Sequence, residues 1–469
     1  MNQTELEKTE YIKMLRAWND AYEKERGKRR GVFVTTFGCQ QNEADSEKLT
    51  GFAISLGYVP VSCPEDADLL LVNTCAIREH AEQKALSTIG QYKHLKAKNP
   101  ELLLGVCGCM VTQEHRVNDI KFRYPYVDFV FGTSSLHRLP QVISEKLEKG
   151  KRVYCPEEKE YLVKEGIPIH RENPYRAWVS IMYGCNNFCS YCIVPYVRGR
   201  ERSRASDAIY DEVKGLVDGG YRDITLLGQN VNSYGKELAE TCDFADLLAR
   251  LASIEGDYRL HFMTSHPKDA TRKLIDTMAE HGRIAKHFHL PLQSGSDRIL
   301  EKMNRHYDTE KYLGIVDYMR EKMPNIAITT DIIVGFPGET EEDFEATLDM
   351  LRRVKFDMIY SFIYSPRKGT PAAEMEAPVP PEVQKKRFEH LLAVQNEISL
   401  EKNLPFVGKT VRVLCDGVSK TNEDAYSGRT EEGKIVFFEG EECDKGNFVM
   451  INIERAEAFA LYGQKRKEE

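Results

Sequence analysis

Three short apolar runs near the start of this 469-residue chain each end on a cysteine, which restricts the fold more than any other feature. Gly31-Val-Phe-Val-Thr-Thr-Phe-Gly38 precedes Cys39, Leu69-Leu-Leu-Val-Asn-Thr74 precedes Cys75, and Leu102-Leu-Leu-Gly-Val-Cys-Gly108 precedes Cys109. Such runs predict short strands buried on both faces. Each leads into a helical pattern, over 42–56, 78–98 and 112–122. Strands alternating with helices predict an α/β fold with a doubly wound parallel sheet, whose binding crevice lies off the strands' carboxyl ends. All three thiols then converge on one edge. One buried cysteine reads as a small hydrophobe; three at equivalent positions predict a three-thiolate iron–sulfur site. Cys107 lies inside its apolar run and Cys109 at the exit, so Cys109 is the better ligand.

A second trio is more compact. Cys185-Asn-Asn-Phe-Cys189-Ser-Tyr-Cys192 follows the apolar strand Ala177-Trp-Val-Ser-Ile-Met-Tyr-Gly184, and Phe188 and Tyr191 interleave the thiols. A four-iron cluster takes four thiolates when saturated, so three leave one iron open to a substrate atom. Zinc motifs come as two separated pairs, which this loop does not offer. The spacing resembles the signature of radical S-adenosylmethionine enzymes, in which the methionine moiety fills the open position.

Length predicts about three domains, each with apolar content for a core. Net charge is −8 with 29% charged residues, and no window approaches a transmembrane length or a signal-peptide h-region. The expected location is cytoplasmic, without a membrane partner. Twelve cysteines spread through so long a chain predict metal ligation rather than a disulfide scaffold. Residues 1–30 predict a charged helical extension with an apolar stripe of Ile12, Leu15, Trp18 and Tyr22 that packs on the body of the protein. The cluster domain is expected over 31–150, and a polar connector with Pro156, Pro168 and Pro174 over 151–175.

Residues 176–404 read as six strand and helix units, with strands near 177, 223, 259, 287, 326 and 357. Six units predict a partial (βα)6 barrel of TIM type, open rather than closed, again with its site at the strand carboxyl ends. Gln229, Ser265, Gln293 and Asp331 stand at those ends and are candidate S-adenosylmethionine contacts. Asn230, His266 and Ser294 stand beside them. Pro195-Tyr-Val-Arg198-Gly-Arg200-Glu-Arg202-Ser-Arg204 packs four arginines beside the cysteine loop, suited to a carboxylate or to phosphate; Arg198 joins the candidate set.

From 405 to 469 the pattern changes to short β-like runs, Val411–Leu414, Lys434–Phe438 and Phe448–Ile453, separated by glycine turns. They predict a small all-β barrel. Tyr426 and Arg429, read as a turn, are candidate RNA contacts by stacking. The segment carries ten Lys/Arg against thirteen Asp/Glu, so any RNA contact must come from a local patch such as Arg429 with Lys465-Arg-Lys467.

Together these features resemble the methylthiotransferase family over nearly all of residues 31–465. The resemblance is carried by Thr36-Phe-Gly-Cys-Gln40 with Asn42-Glu-Ala-Asp45, Asn73-Thr-Cys-Ala-Ile-Arg-Glu79, Val194-Pro-Tyr-Val-Arg-Gly-Arg-Glu201, Leu227-Gly-Gln-Asn-Val-Asn-Ser-Tyr-Gly235 and Leu290-Pro-Leu-Gln-Ser-Gly-Ser296. These motifs are most similar to the branch acting on N6-isopentenyladenosine of tRNA; Gln41 departs from the methionine usual there. The resemblance implies a radical S-adenosylmethionine core, a C-terminal TRAM module and two [4Fe-4S] clusters, on Cys39, Cys75 and Cys109 and on Cys185, Cys189 and Cys192. It implies that one S-adenosylmethionine donates a methyl group to sulfur and a second yields the radical that activates carbon 2 of adenosine 37 in the anticodon loop. Such a base is reachable because loop bases splay out. It also implies an electron donor such as a flavodoxin or ferredoxin, and a sulfur donor. Other substrates compatible with these residues are threonylcarbamoyladenosine tRNA or a ribosomal protein, and a different class is a non-catalytic electron carrier or RNA-binding scaffold.

Overall fold

A computed structural model describes residues 3–77, 79–155, 163, 165–239, 241–419, 423 and 425–466. Arg78 of the second motif, Pro156 of the expected connector and Lys467 of the terminal basic run lie outside them. The chain divides into two compact units. One takes in residues up to Glu172 with Tyr183–Asn186 and Ile193–Arg202, the other Asn173–Met182, Asn187–Cys192 and Ser203 onward.

The first unit is a six-stranded, all-parallel sheet. Its spatial order is Val59–Pro60, Gly31–Phe37, Leu69–Thr74, Leu103–Gly108, Phe129–Phe131, Val153–Cys155. Leu69 and Leu71 face one apolar layer with Phe52, Phe129 and Val142, while Leu70 and Val72 face another with Ile89, Val106 and Ile120. Period-two alternation sends successive side chains to opposite faces, and helices cover both. The second strand in sequence lies outside the first, so the chain reverses direction between Gly31–Phe37 and Leu69–Thr74. That reversal is the topological switch point where doubly wound sheets bind ligands.

Three strands were not legible: Val59–Pro60, Phe129–Phe131 and Val153–Cys155 have two or three residues each, too few for periodicity to register. The last extends the sheet past 150, into the stretch expected as connector. The first helix, Gln3–Arg26, buries Leu15 against the layer containing Phe52, with Ile12 and Trp18 packed beside it. Arg30 lies over the Trp18 ring at 3.4 Å and over Tyr22 at 3.9 Å.

The second unit begins with six parallel strands in two sheets of three. Arg259–Phe262, Asp223–Leu227 and Arg176–Ser180 form one; His287–His289, Ala327–Val334 and Met358–Ile363 form the other. A bridge from Leu260 to Ile284 runs parallel beside the first. Side-chain caps start the outer helices: Asp243, Thr271, Ser296, Asp308 and Thr340 each accept from a backbone N–H one turn on. This is the partial barrel expected, followed by the helix Pro381–Asn403.

The C-terminal module is a closed five-stranded barrel: Thr410–Val418, Tyr426–Arg429, Ile435–Glu439, Leu461–Lys465, Phe448–Ala456. Tyr426–Arg429 is therefore a strand and not the expected turn. Gly428 fits this strand because a Cβ there would lie 2.3 Å from the Leu414 carbonyl oxygen on the neighbouring strand.

Candidate functional site

In the first unit, Cys75 and Cys109 follow directly on a strand, and Cys39 follows one residue after the strand that ends at Phe37. Two glycines let the strand exits close on one another. Gly38 has φ +142°, and a Cβ there would lie 2.5 Å from Cys75 Cβ; Gly108 has φ +99°, and a Cβ would lie 2.5 Å from the Thr74 carbonyl oxygen. Cys39 caps the helix Gln40–Ser55, whose N-terminus favours a thiolate. The Cys39 thiol reaches Asn42 Oδ1 at 3.4 Å, and the Ile77 amide donates to Cys75 Sγ at 3.2 Å.

Arg198 comes to the same trio. Its Nε donates to Cys109 Sγ at 3.1 Å and its Nη2 to Asp45 Oδ2 at 2.9 Å. Arg198 and Asp45 are 5% and 2% exposed. A hydrogen bond from Cys75 pulls the Cys39 thiol down to about 6, with help from the Arg198 charge. Cys75 is pushed up by that same hydrogen bond and by burial, and Cys109 by burial against the pull of Arg198. A metal binding here must displace the protons that these thiols hold. Cys107 points instead into the apolar layer with Phe129 and Phe131, and burial raises its thiol strongly.

A cavity of about 60 Å³ opens beside Arg198, lined by Asp45, Lys48, Thr133, His137, Tyr183 and Arg202 among others. Lys48 donates to the Tyr183 hydroxyl at 2.8 Å. The space admits a few waters or a small anion.

The Cys185 loop is divided: Cys185 falls with the first unit, Cys189 and Cys192 with the second. The Cys185 amide donates to the Gly199 carbonyl at 3.1 Å, and Gly184 is required because a Cβ would lie 2.0 Å from the Arg200 carbonyl oxygen. In the second unit the loop is stapled to residues 302–305. Ser190 N donates to the Met303 carbonyl, Ser190 Oγ to the Lys302 carbonyl and Asn304 Nδ2 to the Phe188 carbonyl, at 3.0, 2.8 and 2.9 Å. Phe188 has φ +46°, a strained setting for a non-glycine residue next to Cys189. Arg305 Nη1 donates to Cys189 Sγ at 3.3 Å; its other nitrogens reach the Tyr307 hydroxyl (3.1 Å) and the Pro291 carbonyl (3.0 Å). Tyr191 packs edge-on to Phe336 at 6.5 Å. Sequence reasoning missed Arg305, which has no signal of its own in the chain.

Among the described residues no three His, Cys, Asp or Glu side chains could hold one metal ion. A cubane cluster asks for something else, since each thiolate binds a different iron at a different corner. N–H donors are aimed at sulfur in each trio: the Ile77 amide at Cys75 and Arg198 at Cys109, and Arg305 at Cys189.

At the barrel's strand ends, Thr264 and Gln293 adopt left-handed conformations, φ +68° and +72°. Ser265 Oγ, His266 Nε2, Asn230 Oδ1 and both polar atoms of the Asn232 side chain are buried without a hydrogen-bond partner. Buried polar atoms cost about 1–3 kcal/mol each when unpaired, so this edge is set for a polar ligand. The Gln293 amide donates to the Asp331 carbonyl at 2.8 Å, and His289 Nε2 lies 3.5 Å from Asp331 Oδ2. Gln229 is half-buried beside them. Arg198 belongs to the first unit and is held by Cys109 and Asp45.

Tyr426 and Arg429 stand three residues apart on one strand and so face opposite sides. Tyr426 is half-buried, 6.4 Å from the Phe438 ring; Arg429 is exposed, with its carbonyl accepting from Arg259 Nη1 at 3.1 Å. A stack absent from the sequence reading lies elsewhere on the barrel: Phe437 over Tyr462 at 5.5 Å, with the Arg455 guanidinium 3.7 Å from the Tyr462 ring centre.

Residues 31–132 match the Uncharacterized protein family UPF0004, residues 179–351 the Radical SAM superfamily and residues 406–465 the TRAM domain. The chain is 50% identical over 432 residues to a tRNA-2-methylthio-N(6)-dimethylallyladenosine synthase of Clostridium botulinum, covering 92% of this chain and 96% of that one. A protein of the same name from Caldicellulosiruptor saccharolyticus is 48% identical over 455 residues, 97% and 96% of the two chains. Among solved structures, a radical S-adenosylmethionine methyltransferase from Kitasatospora setae aligns with a TM-score of 0.53 at 15% identity, over 73% of this chain and 75% of that one; this likeness is one of fold. No described helix is long and apolar enough to cross a membrane.

Proposed function

Because this chain belongs to the tRNA-2-methylthio-N(6)-dimethylallyladenosine synthase family, we propose that its two cysteine trios are the holding sites of the two iron–sulfur clusters that serve one reaction. The protein is a radical S-adenosylmethionine transferase that methylthiolates carbon 2 of N6-isopentenyladenosine in tRNA. Cys39, Cys75 and Cys109 hold one [4Fe-4S] cluster, and Cys185, Cys189 and Cys192 the other. The observation that carries this is the meeting of three strand-end thiols at the switch point of a parallel sheet, where Gly38 and Gly108 have no room for a side chain.

When bound, such clusters supply one-electron reduction of a sulfonium and an open iron for sulfur, chemistry no side chain offers. The chain's own residues bind and orient. Gln229, Ser265, Gln293 and Asp331 receive S-adenosylmethionine, joined by Asn230, Asn232 and His266, whose unpaired atoms a ligand would satisfy. Tyr191, packed on Phe336, shields the Cys189 side from water. The cavity with Lys48, His137 and Arg202 suits an anionic sulfur donor. A flavodoxin or ferredoxin supplies electrons, and the reaction takes place in the cytoplasm. The tRNA presents adenosine 37 of its anticodon loop, and the C-terminal barrel grips RNA through Arg429, Tyr426 or the Tyr462 stack.

Iron and sulfide quantification on anaerobically prepared protein tests the assignment. Replacing Cys185, Cys189 and Cys192 by Ala should halve the iron and abolish 5′-deoxyadenosine release. Replacing the other three should halve the iron and spare that release. Full iron in either variant would overturn it. Turnover on prenylated but not unprenylated tRNA separates this substrate from threonylcarbamoyladenosine tRNA.

A further inference from the structure

Each trio has a buried guanidinium on one of its sulfurs, and the two guanidiniums differ in one respect. Arg198 donates to Cys109 and is paired at 2.9 Å with Asp45. Arg305 donates to Cys189, and its remaining partners are neutral: the Tyr191 and Tyr307 hydroxyls and the Pro291 carbonyl. No described carboxylate lies within ion-pair distance of Arg305. Both arginines are buried, Arg305 at 4% exposure, so neither charge is screened by water.

Reduction adds one negative charge to a cluster. Cationic charge and N–H donors near the sulfurs favour the reduced form, and net charge and burial set the potential. Arg305 contributes a donor and a full positive charge. Arg198 contributes a donor, but Asp45 cancels its charge. On the assignment of the two trios above, we propose that Arg305 and the Arg198–Asp45 pair set the two clusters' reduction potentials apart, so that the incoming electron settles on the Cys185 cluster. That is the cluster at which S-adenosylmethionine must be cleaved, while the cluster on Cys109 is left to handle sulfur without consuming the electron. Arg198, Asp45 and Arg305 are on this view positioning residues, acting through the cysteines.

The test is a potentiometric titration followed by electron paramagnetic resonance, on full-length chains that keep one trio each. In the chain with Cys39, Cys75 and Cys109 replaced by Ala, Arg305→Gln should shift the oxidised-to-reduced ratio at fixed potential at least tenfold toward oxidised, a midpoint lower by about 59 mV for one electron. Arg305→Lys, which keeps the charge, should shift it less. In the chain with Cys185, Cys189 and Cys192 replaced, the isosteric Asp45→Asn should shift the ratio toward reduced. Unchanged midpoints at full iron content, in either arm, overturn the proposal. Loss of all iron from a parent chain that keeps one trio overturns instead the cluster assignment on which it rests. A structural role alone would lower iron content or melting temperature and leave the midpoint of the remaining cluster where it was.

Discussion

Asn42 and Asn73 hold one another across the first two strand exits: Asn73 Nδ2 donates to the Asn42 carbonyl at 2.8 Å, and Asn42 Nδ2 donates to Asn73 Oδ1 at 3.2 Å. Both are fully buried, and Asn73 Nδ2 also reaches Ser46 Oγ at 2.9 Å. The pair ties the helix that Cys39 caps to the strand that Cys75 ends. Asn73→Ala leaves the Asn42 amide group without its partner in the interior, a cost of about 1–3 kcal/mol. The expected outcome is a lower melting temperature together with reduced iron on the first trio. Unaltered iron with a lowered melting temperature would show that the pair serves folding alone.

Cys107 and Cys109 make a sharper pair of substitutions than their spacing suggests. Cys107 packs among Phe129 and Phe131, so Cys107→Ala removes one buried sulfur and should cost stability while the cluster is kept. Cys109→Ala removes a sulfur that Arg198 touches and should empty the first site, stopping methylthiolation while uncoupled 5′-deoxyadenosine release continues. Iron quantification and deoxyadenosine chromatography on both variants check this, and reversed effects would exchange the two roles.

Lys48 faces the cavity beside Arg198 from a nearly buried position. If an anionic sulfur donor enters there, Lys48→Met removes a cation that attracts it. With inorganic sulfide as donor, the concentration needed for half-maximal product should rise roughly tenfold, as expected for loss of about 1.4 kcal/mol of attraction. Release of 5′-deoxyadenosine in the absence of sulfide should not change. An unmoved sulfide dependence would remove the cavity from the route.

What could be read in the sequence was what local pattern encodes. The runs before Cys39, Cys75 and Cys109 announce strands because they are apolar and long enough, and the two-residue offset of Cys107 from Cys109 already separates core from exit. Phe129–Phe131 pairs beside Gly105, which leaves room for the Phe129 ring, 2.0 Å from where a Cβ would stand. Such a pairing leaves no mark in a three-residue window. Arg198 read as one of four arginines in a charged run; its place on Cys109 depends on a contact between residues 89 positions apart. Arg305 is further still from its sulfur, 116 positions. Contacts of that kind belong to tertiary structure and have no periodicity to betray them.

Acid should destabilise the second unit through two buried histidines. Burial lowers His261 to about 4, with Arg259 and Arg176 adding to the effect and Asp223 opposing it; burial, with His261 and His289 nearby, lowers His287 to about 3. Both values lie below the ordinary 6.5. Above that pH neither the folded nor the unfolded chain is protonated at these sites, and their contribution to stability is whole. As pH falls below 6.5 the unfolded chain takes up protons that the folded chain refuses, so stability drops until the folded values are reached. The slope is at most about 1.4 kcal/mol per pH unit for each histidine. Melting temperatures at pH 7 and pH 5 should differ accordingly, and His287→Gln should flatten the difference. A stability that rises between pH 7 and pH 5 would contradict the buried neutral state.

RNA binding should depend on stacking at a few places, because the C-terminal module is acidic overall. The Phe437 and Tyr462 rings with Arg455 offer an aromatic and cationic surface at which a base can stack, whereas Tyr426 is half-buried against Phe438. Tyr462→Ala should weaken tRNA binding by about 1–3 kcal/mol, the range for losing one stacked base, with iron content and deoxyadenosine release unchanged. Arg429→Ala, at an exposed site, should weaken binding without a change in melting temperature. Tyr426→Ala should lower the melting temperature of the barrel, since it removes an aromatic packed on the core. Filter binding and thermal melts on the three variants distinguish these outcomes. If Tyr426→Ala alone weakened tRNA binding at unchanged stability, the RNA face would lie on the Tyr426 side of the barrel and the Tyr462 stack would be a packing feature.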